Sequence, residues 1–296
     1  MTTIATTAVR RYSELVAGFE LPTVQLMAVN TSDAGIHVDA TAAKHGFRSG
    51  LVPGVTVYTY VNRVLVSYFG AAWLSTGRTN IRFARPLYHG DAVVCRAVVT
   101  RRTDKTVEFE IWGENGEGEQ CARGTASFPL LDSAAPPVGL PFVVDAAAAV
   151  AIPAATPEQV TTGVPFQPRV VVVDRQMNAD YVERIGDAHL LYQRFAHPGI
   201  FLGRALGRGI AVGQGDLVDE DGVAPRGPAG IHVASEITAY LPALVDHAYT
   251  VYGIYLEHLI KNANSYYIFD IAITDEEGRC VYTAHMTRIY HIGRTV

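Results

Sequence analysis

Leu51-Val52-Pro53-Gly54-Val55-Thr56-Val57-Tyr58-Thr59-Tyr60-Val61-Asn62-Arg63-Val64-Leu65-Val66-Ser67-Tyr68-Phe69 opens on a Pro-Gly and then keeps Val57, Val61, Val64, Leu65 and Tyr68 at helical spacing. The stretch predicts one strongly apolar helix over 54–69. Downstream, 91–101, 106–112 and 120–128 read as three strands. In the middle one Val107, Phe109 and Ile111 alternate with Thr106, Glu108 and Glu110. Asp104-Lys105 and Asn115-Gly116 supply tight turns between them. A single apolar helix ahead of an antiparallel meander must bury nearly all of its surface, so the sheet is expected to wrap around it.

The same order recurs. Val52-Pro53-Gly54-Val55 is echoed by His197-Pro198-Gly199-Ile200, and a shorter apolar helical stretch follows at 199–206. Three further strand candidates come after it, at 249–259, 266–274 and 279–290, with turns near Asn262-Ala263-Asn264 and Asp275-Glu276-Glu277-Gly278. Gly54 precedes Cys121 by 67 residues and Gly199 precedes Cys280 by 81, a period close to half the chain, which implies a duplicated domain rather than a solenoid. Between the copies, 133–168 carries seven prolines among many alanines and is expected to be an extended connector. The chain therefore divides into 1–132, a linker at 133–168, and 169–296. The expected class is α+β, with two antiparallel sheets each wrapping a central helix, a pseudo-dimer in one polypeptide. Gly199, Gly203 and Gly207 share a helix face and are expected to permit close approach of helix to sheet.

Composition narrows the function. The 296 residues are 49% hydrophobic and 18% charged, enough for two cores of ordinary size. A net charge of −5 lacks the basic footprint of a nucleic-acid binder. Cys95, Cys121 and Cys280 are too few and too scattered for a disulfide framework or a zinc cluster, and reduced, buried thiols are expected. Arg10 and Arg11 stand near the start, but no apolar run of signal-peptide length accompanies them, so a cytoplasmic location is expected. The alanine-rich 146–155 is broken by Pro153 and is too short to span a membrane. Motifs for phosphate loops, zinc hydrolases and serine hydrolases are missing, and no metal is expected.

Residues 20–130 resemble the MaoC-like hydratase and dehydratase family. The resemblance rests on Ser32-Asp33-Ala34-Gly35-Ile36-His37-Val38-Asp39, then Gly46-Phe47, Leu51-Val52-Pro53-Gly54, Arg82-Phe83-Ala84-Arg85-Pro86 and Gly90-Asp91. It implies a double hotdog fold and the reversible hydration of an enoyl thioester to an (R)-3-hydroxyacyl thioester. Asp33 and His37 would act on a water, the amides of Gly54 and Val55 beside Pro53 would hold the thioester oxygen, and Tyr58 and Phe201 would be pocket walls or core. The substrate would bring its own coenzyme A or phosphopantetheine arm, with no separate cofactor. An acyl carrier protein stands open as a partner, as does further pairing into a homodimer. Arg78, Arg82 and Arg85 are candidates for the phosphates or for solvated surface.

The family pattern, Gly-Asp-x-Asn-Pro-x-His-x-Asp, places five steps between its Asp and its His. Here Asp33 precedes His37 by four, Ala34-Gly35 replaces Asn-Pro, and Pro53-Gly54 replaces His-Gly. His37 could instead simply bond backbone, and Asp33 could be a turn residue. Asp39 is expected to cap a helix over 40–45. In the second copy Asp187, His189 and His197 are expected to be structural or pocket-lining. Thioester hydrolysis, a cyclisation in specialised metabolism, and acyl-thioester binding without catalysis are the competing readings.

Overall fold

The architecture is that of a computed structural model, which describes residues 12–130, 162–163, 165, 168–205 and 231–291. In the first half, β1 (Val24–Met27) leads to a 3-10 turn (Gly35–His37) and a short helix α1 (Asp39–Lys44). Then come the long α2 (Gly54–Phe69), α3 (Ala71–Thr76), and strands β2 (Arg78–Phe83), β3 (Ala92–Arg102), β4 (Thr106–Asn115) and β5 (Gln120–Pro129). The second half has β6 (Arg169–Val172), α4 (Arg175–Arg184), a 3-10 turn (Leu190–Gln193), α5 (Pro198–Ala205), β7 (Ile231–Ala239), β8 (Ala248–Lys261), β9 (Asn264–Thr274) and β10 (Cys280–His291).

These strands form one ten-stranded antiparallel sheet in the order β1-β3-β4-β5-β2-β7-β10-β9-β8-β6, rather than the two sheets expected. Each half contributes five neighbouring strands, and the orders are mirror images about the β2–β7 pair. There Arg78 lies opposite Thr238, Asn80 opposite Glu236 and Arg82 opposite Ala234. An unpaired strand edge exposes a row of amides and carbonyls. Joining β2 to β7 satisfies both rows and fuses the halves.

The α2 helix is buried on most sides because the first half's strands curve around it. Tyr60, Val61, Val64 and Leu65 are all at most 2% exposed. Phe69 at its end stacks on Phe128 of β5, with ring centroids 4.2 Å apart, and on Trp73 of α3. In the second half Phe201 of α5 packs edge-on against Tyr249 of β8 at 5.0 Å. Where helix-to-sheet approach was expected at Gly199, the helices themselves meet. A Cβ on Gly199 would fall 2.8 Å from Thr59 Cγ2 of α2 and 2.2 Å from Tyr181 Oη of α4, and one on Gly203 would face Val55.

Asp39 begins α1 without capping it; its Oδ1 instead accepts the amide of Gly50 at 2.7 Å. Cys95, Cys121 and Cys280 are free and buried in strands. Of the expected linker, only Thr162, Gly163, Pro165 and Pro168 are among the described residues, and Pro165 bridges to Ile254. Leu206 and Gly207 lie outside the described residues. Among those described, no helix is long and apolar enough to cross a membrane.

Candidate functional site

A cleft of about 1180 Å³ opens at the amino terminus of α2, between the halves. The first half lines it with Thr31, Ser32 and residues 34–37, the start of α2 and the turn after β2; the second half adds α4, α5 and the inner faces of β7, β9 and β10.

His37 is held there by backbone on two sides. Its Nδ1 lies 2.6 Å from the Leu51 carbonyl, which can only accept, so the proton sits on Nδ1 and the neutral ring keeps its lone pair on Nε2. The His37 carbonyl accepts from Asn30 Nδ2 at 2.7 Å, and the Leu51 amide donates to Ile36 O at 3.2 Å. A Cβ on Gly50 would stand 2.0 Å from the His37 carbonyl oxygen, so only glycine lets the two strands of this loop close. Burial lowers the imidazole's pKa below its usual 6.5; the Leu51 carbonyl works against that, and the positive charge of Arg288 adds to it. His37 is thus a neutral base at ordinary pH.

Three residues beyond Leu51, α2 begins. Its Thr56 and Val57 amides bond back to the Pro53 carbonyl at 2.8 and 3.0 Å, and no side chain caps the helix. Gly54 and Val55 occupy first-turn positions whose amides have no intrahelical acceptor, at the positive end of the helix dipole. Both residues and Pro53 line the cleft. The structure therefore brings His37, Pro53, Gly54 and Val55 together.

It does not bring Asp33 or Tyr58 to them. Asp33 is exposed and stands outside the cleft lining, although its neighbours Ser32 and Ala34 are half-buried and line it. Tyr58 is 4% exposed within the core beside Thr79, and burial pushes its phenol up to about 12 despite that hydroxyl. Phe201 is likewise core. Arg85 lines the cleft and pairs with Glu119 at 3.4 Å, whereas Arg78 and Arg82 point outward from β2.

Several cleft residues were not anticipated from sequence. Thr31 and Thr56 hydroxyls meet at 2.7 Å, Arg184 donates to the Asn30 carbonyl at 2.6 Å, and His232, Tyr181 and Arg288 line the cleft from the second half. The alternation of Ile231, Val233 and Ile237 with polar neighbours was the available signal for β7. Behind Tyr181, Asp187 is buried between His197 Nε2 at 3.2 Å and Arg63 Nε of α2 at 3.3 Å, outside the cleft lining. No group of three metal-ligating side chains occurs among the described residues. A fixed base beside outward-facing amides can activate water against a carbonyl or a conjugated carbonyl whose oxygen the amides hold.

Residues 72–122 match the model of the thioesterase superfamily. No curated protein matches the chain by sequence. Among solved structures, a Chloroflexus aurantiacus protein assigned as a MaoC domain dehydratase superposes with a TM-score of 0.66 at 12% identity, over 95% of this chain and 97% of that one. A Mycobacterium tuberculosis protein described as a double hotdog superposes at 0.60 with 13% identity, over 94% and 97%. A Lactobacillus plantarum protein assigned as an oleoyl thioesterase does so at 0.53 with 10% identity, over 93% and 98%. With two helix-and-meander halves fused edge to edge along β2 and β7, the chain is a double hotdog protein, the architecture it shares with MaoC-like dehydratases and thioesterases.

Proposed function

We propose that this chain acts on an acyl thioester in the cleft, adding water to a trans-2-enoyl thioester or removing it from an (R)-3-hydroxyacyl thioester. The observation that carries the reading is the His37 ring, tied through Nδ1 to Leu51 O with Nε2 left basic, beside the uncapped start of α2. In the hydration direction Nε2 takes a proton from water as its oxygen attacks C3. The electron pair moves through C2 toward the thioester oxygen, where the Gly54 and Val55 amides hold the charge. The His37 imidazolium then returns its proton to C2. The substrate's own coenzyme A or phosphopantetheine completes the chemistry, with an acyl carrier protein as the alternative carrier. Arg85, Arg184 and Arg204 line the cleft and suit its phosphates. The second half supplies apolar wall, including Phe269 and Met286, for the acyl chain.

A second reading, thioester hydrolysis, is favoured by the position of Asp33. With Asp33 outside the cleft, hydration requires the one imidazole to serve in turn as base toward water and as acid toward C2. Hydrolysis needs only a base for water and donors for the tetrahedral oxyanion, which His37, Gly54 and Val55 supply. Mass-resolved turnover of trans-2-enoyl, (R)-3-hydroxyacyl and saturated acyl thioesters, on coenzyme A and on pantetheine, separates them. Gain or loss of water, absent in His37→Ala, supports hydration; release of free thiol supports hydrolysis. Saturable binding with neither would sink both in favour of a binding protein.

A further inference from the structure

The second half does more than wall the cleft: it places a second imidazole against the helix terminus that would hold the thioester oxygen. His232 comes from β7, lines the cleft and is 9% exposed. A Cβ on Gly54 would lie 2.6 Å from His232 Cβ and 2.9 Å from both Cγ and Nδ1, so the ring edge carrying Nδ1 rests on the Gly54 backbone. Phe83 of β2 holds the ring's face at 4.7 Å between centroids.

The opposite nitrogen fixes the tautomer. Nε2 is 2.5 Å from Ser235 Oγ, and that hydroxyl has Met286 Sδ, at 2.9 Å, as its other acceptor. An imidazole nitrogen is a far better acceptor than a thioether sulfur. Ser235 therefore donates to Nε2, and the ring proton resides on Nδ1, the edge nearest the α2 terminus. Burial, reinforced by Arg288, which lies opposite His232 in the β7–β10 register, keeps the ring neutral against the opposing pull of the Ala234 carbonyl, with its pKa pulled down to about 3. A neutral imidazole donates a hydrogen bond without bringing a charge that must be desolvated, the use such a ring finds at other carbonyl-polarising sites.

We infer that His232 is a catalytic residue contributed by the second half, its Nδ1–H donating to the thioester carbonyl oxygen alongside the Gly54 amide. The inference rests on the acyl-thioester reading of the cleft. It explains why residue 54 must be glycine twice over, once for the substrate and once for the ring. It also gives the second half, which lacks the first half's histidine loop, a share in the chemistry.

Two measurements test it. Nitrogen-15 NMR of the wild-type protein reads the tautomer directly: protonation of His232 at Nδ1 is expected, and protonation at Nε2 overturns the inference without any substrate. Infrared difference spectra of bound [1-13C]crotonyl-coenzyme A read carbonyl polarisation. A downshift in wild type that shrinks in His232→Leu and returns in His232→Asn, which keeps an N–H near Nδ1, is expected. Turnover should follow, with kcat falling about 10²-fold in His232→Leu and KM little changed. A merely structural role would leave the Leu and Asn proteins alike. An unchanged carbonyl shift in a folded His232→Leu protein overturns the donor role while the cleft's reading stands. Failure of wild type to bind the thioester at all would bring down both.

Discussion

His37 and Asp33 lie four residues apart in the chain, yet only His37 lines the cleft. The imidazole should act as a base only when neutral. Its folded pKa lies below 6.5, so kcat/KM is expected to hold steady through neutral pH and to fall on acidification through that lowered pKa, which a pH–rate profile measures. His37→Ala should cost about 10²- to 10⁴-fold in kcat. Asp33→Asn, at an exposed position outside the cleft, should leave kcat close to wild type; a loss as large as that of His37→Ala would show that the loop closes inward during turnover. The resemblance marks His37 through its family-like distance from Gly54, and in the fold the Leu51 carbonyl joins the two segments. The pairing with Asp33 rests on the family pattern, whose five-step spacing this loop shortens to four, and Asp33 stands outside the cleft lining.

Among the elements, the strands with period-two patterns and polar turns are legible to within a few residues. The positive φ of Asn262 and Ala263, and of Gly278, are the backbone demands those turn sequences advertise. Strands β2 and β7 are short and half polar, and their pairing partners lie in different halves, so local pattern says little about them. The contact between α2 and α5 can be tested at Gly199. Gly199→Ala forces a methyl into Tyr181 Oη and Thr59 and should lower stability by about 1–3 kcal/mol, read by denaturant unfolding. A second tie is ionic. Asp187 is buried between Arg63 of α2 and His197 just before α5, and Asp187→Asn, which strips the charge that both partners face, should cost about 3–5 kcal/mol in the same experiment. An unchanged midpoint in that protein would mean that water, rather than Asp187, satisfies Arg63.

The fused sheet and its buried histidines make the protein sensitive to acid as a unit. His197 and His232 are held neutral in the fold, with pKa values below the unfolded 6.5, both chiefly through burial; Asp187 opposes the shift at His197. Below pH 6.5 the unfolded chain binds protons that the fold refuses. Stability should therefore fall as pH drops from 6.5, by about 1.4 kcal/mol per unit for each refused proton, and for His232 the loss continues toward pH 3. Thermal melts at pH 7.5, 6 and 5 check the sign; a midpoint that rises on acidification would contradict it. The duplication, the apolar helix in each half, the antiparallel meanders and the glycine at the helix start could all be read from residue order. Each is set by periodicity, turn chemistry or backbone freedom within a few residues of itself. The joining of ten strands into one sheet, the exclusion of Asp33 and Tyr58 from the cleft, and the arrival of His232 at Gly54 could not. The sheet junction and the arrival of His232 depend on which edges and faces meet across 150 or more residues, and all of these are settled by burial and by hydrogen-bonding edges finding partners, which local pattern leaves free.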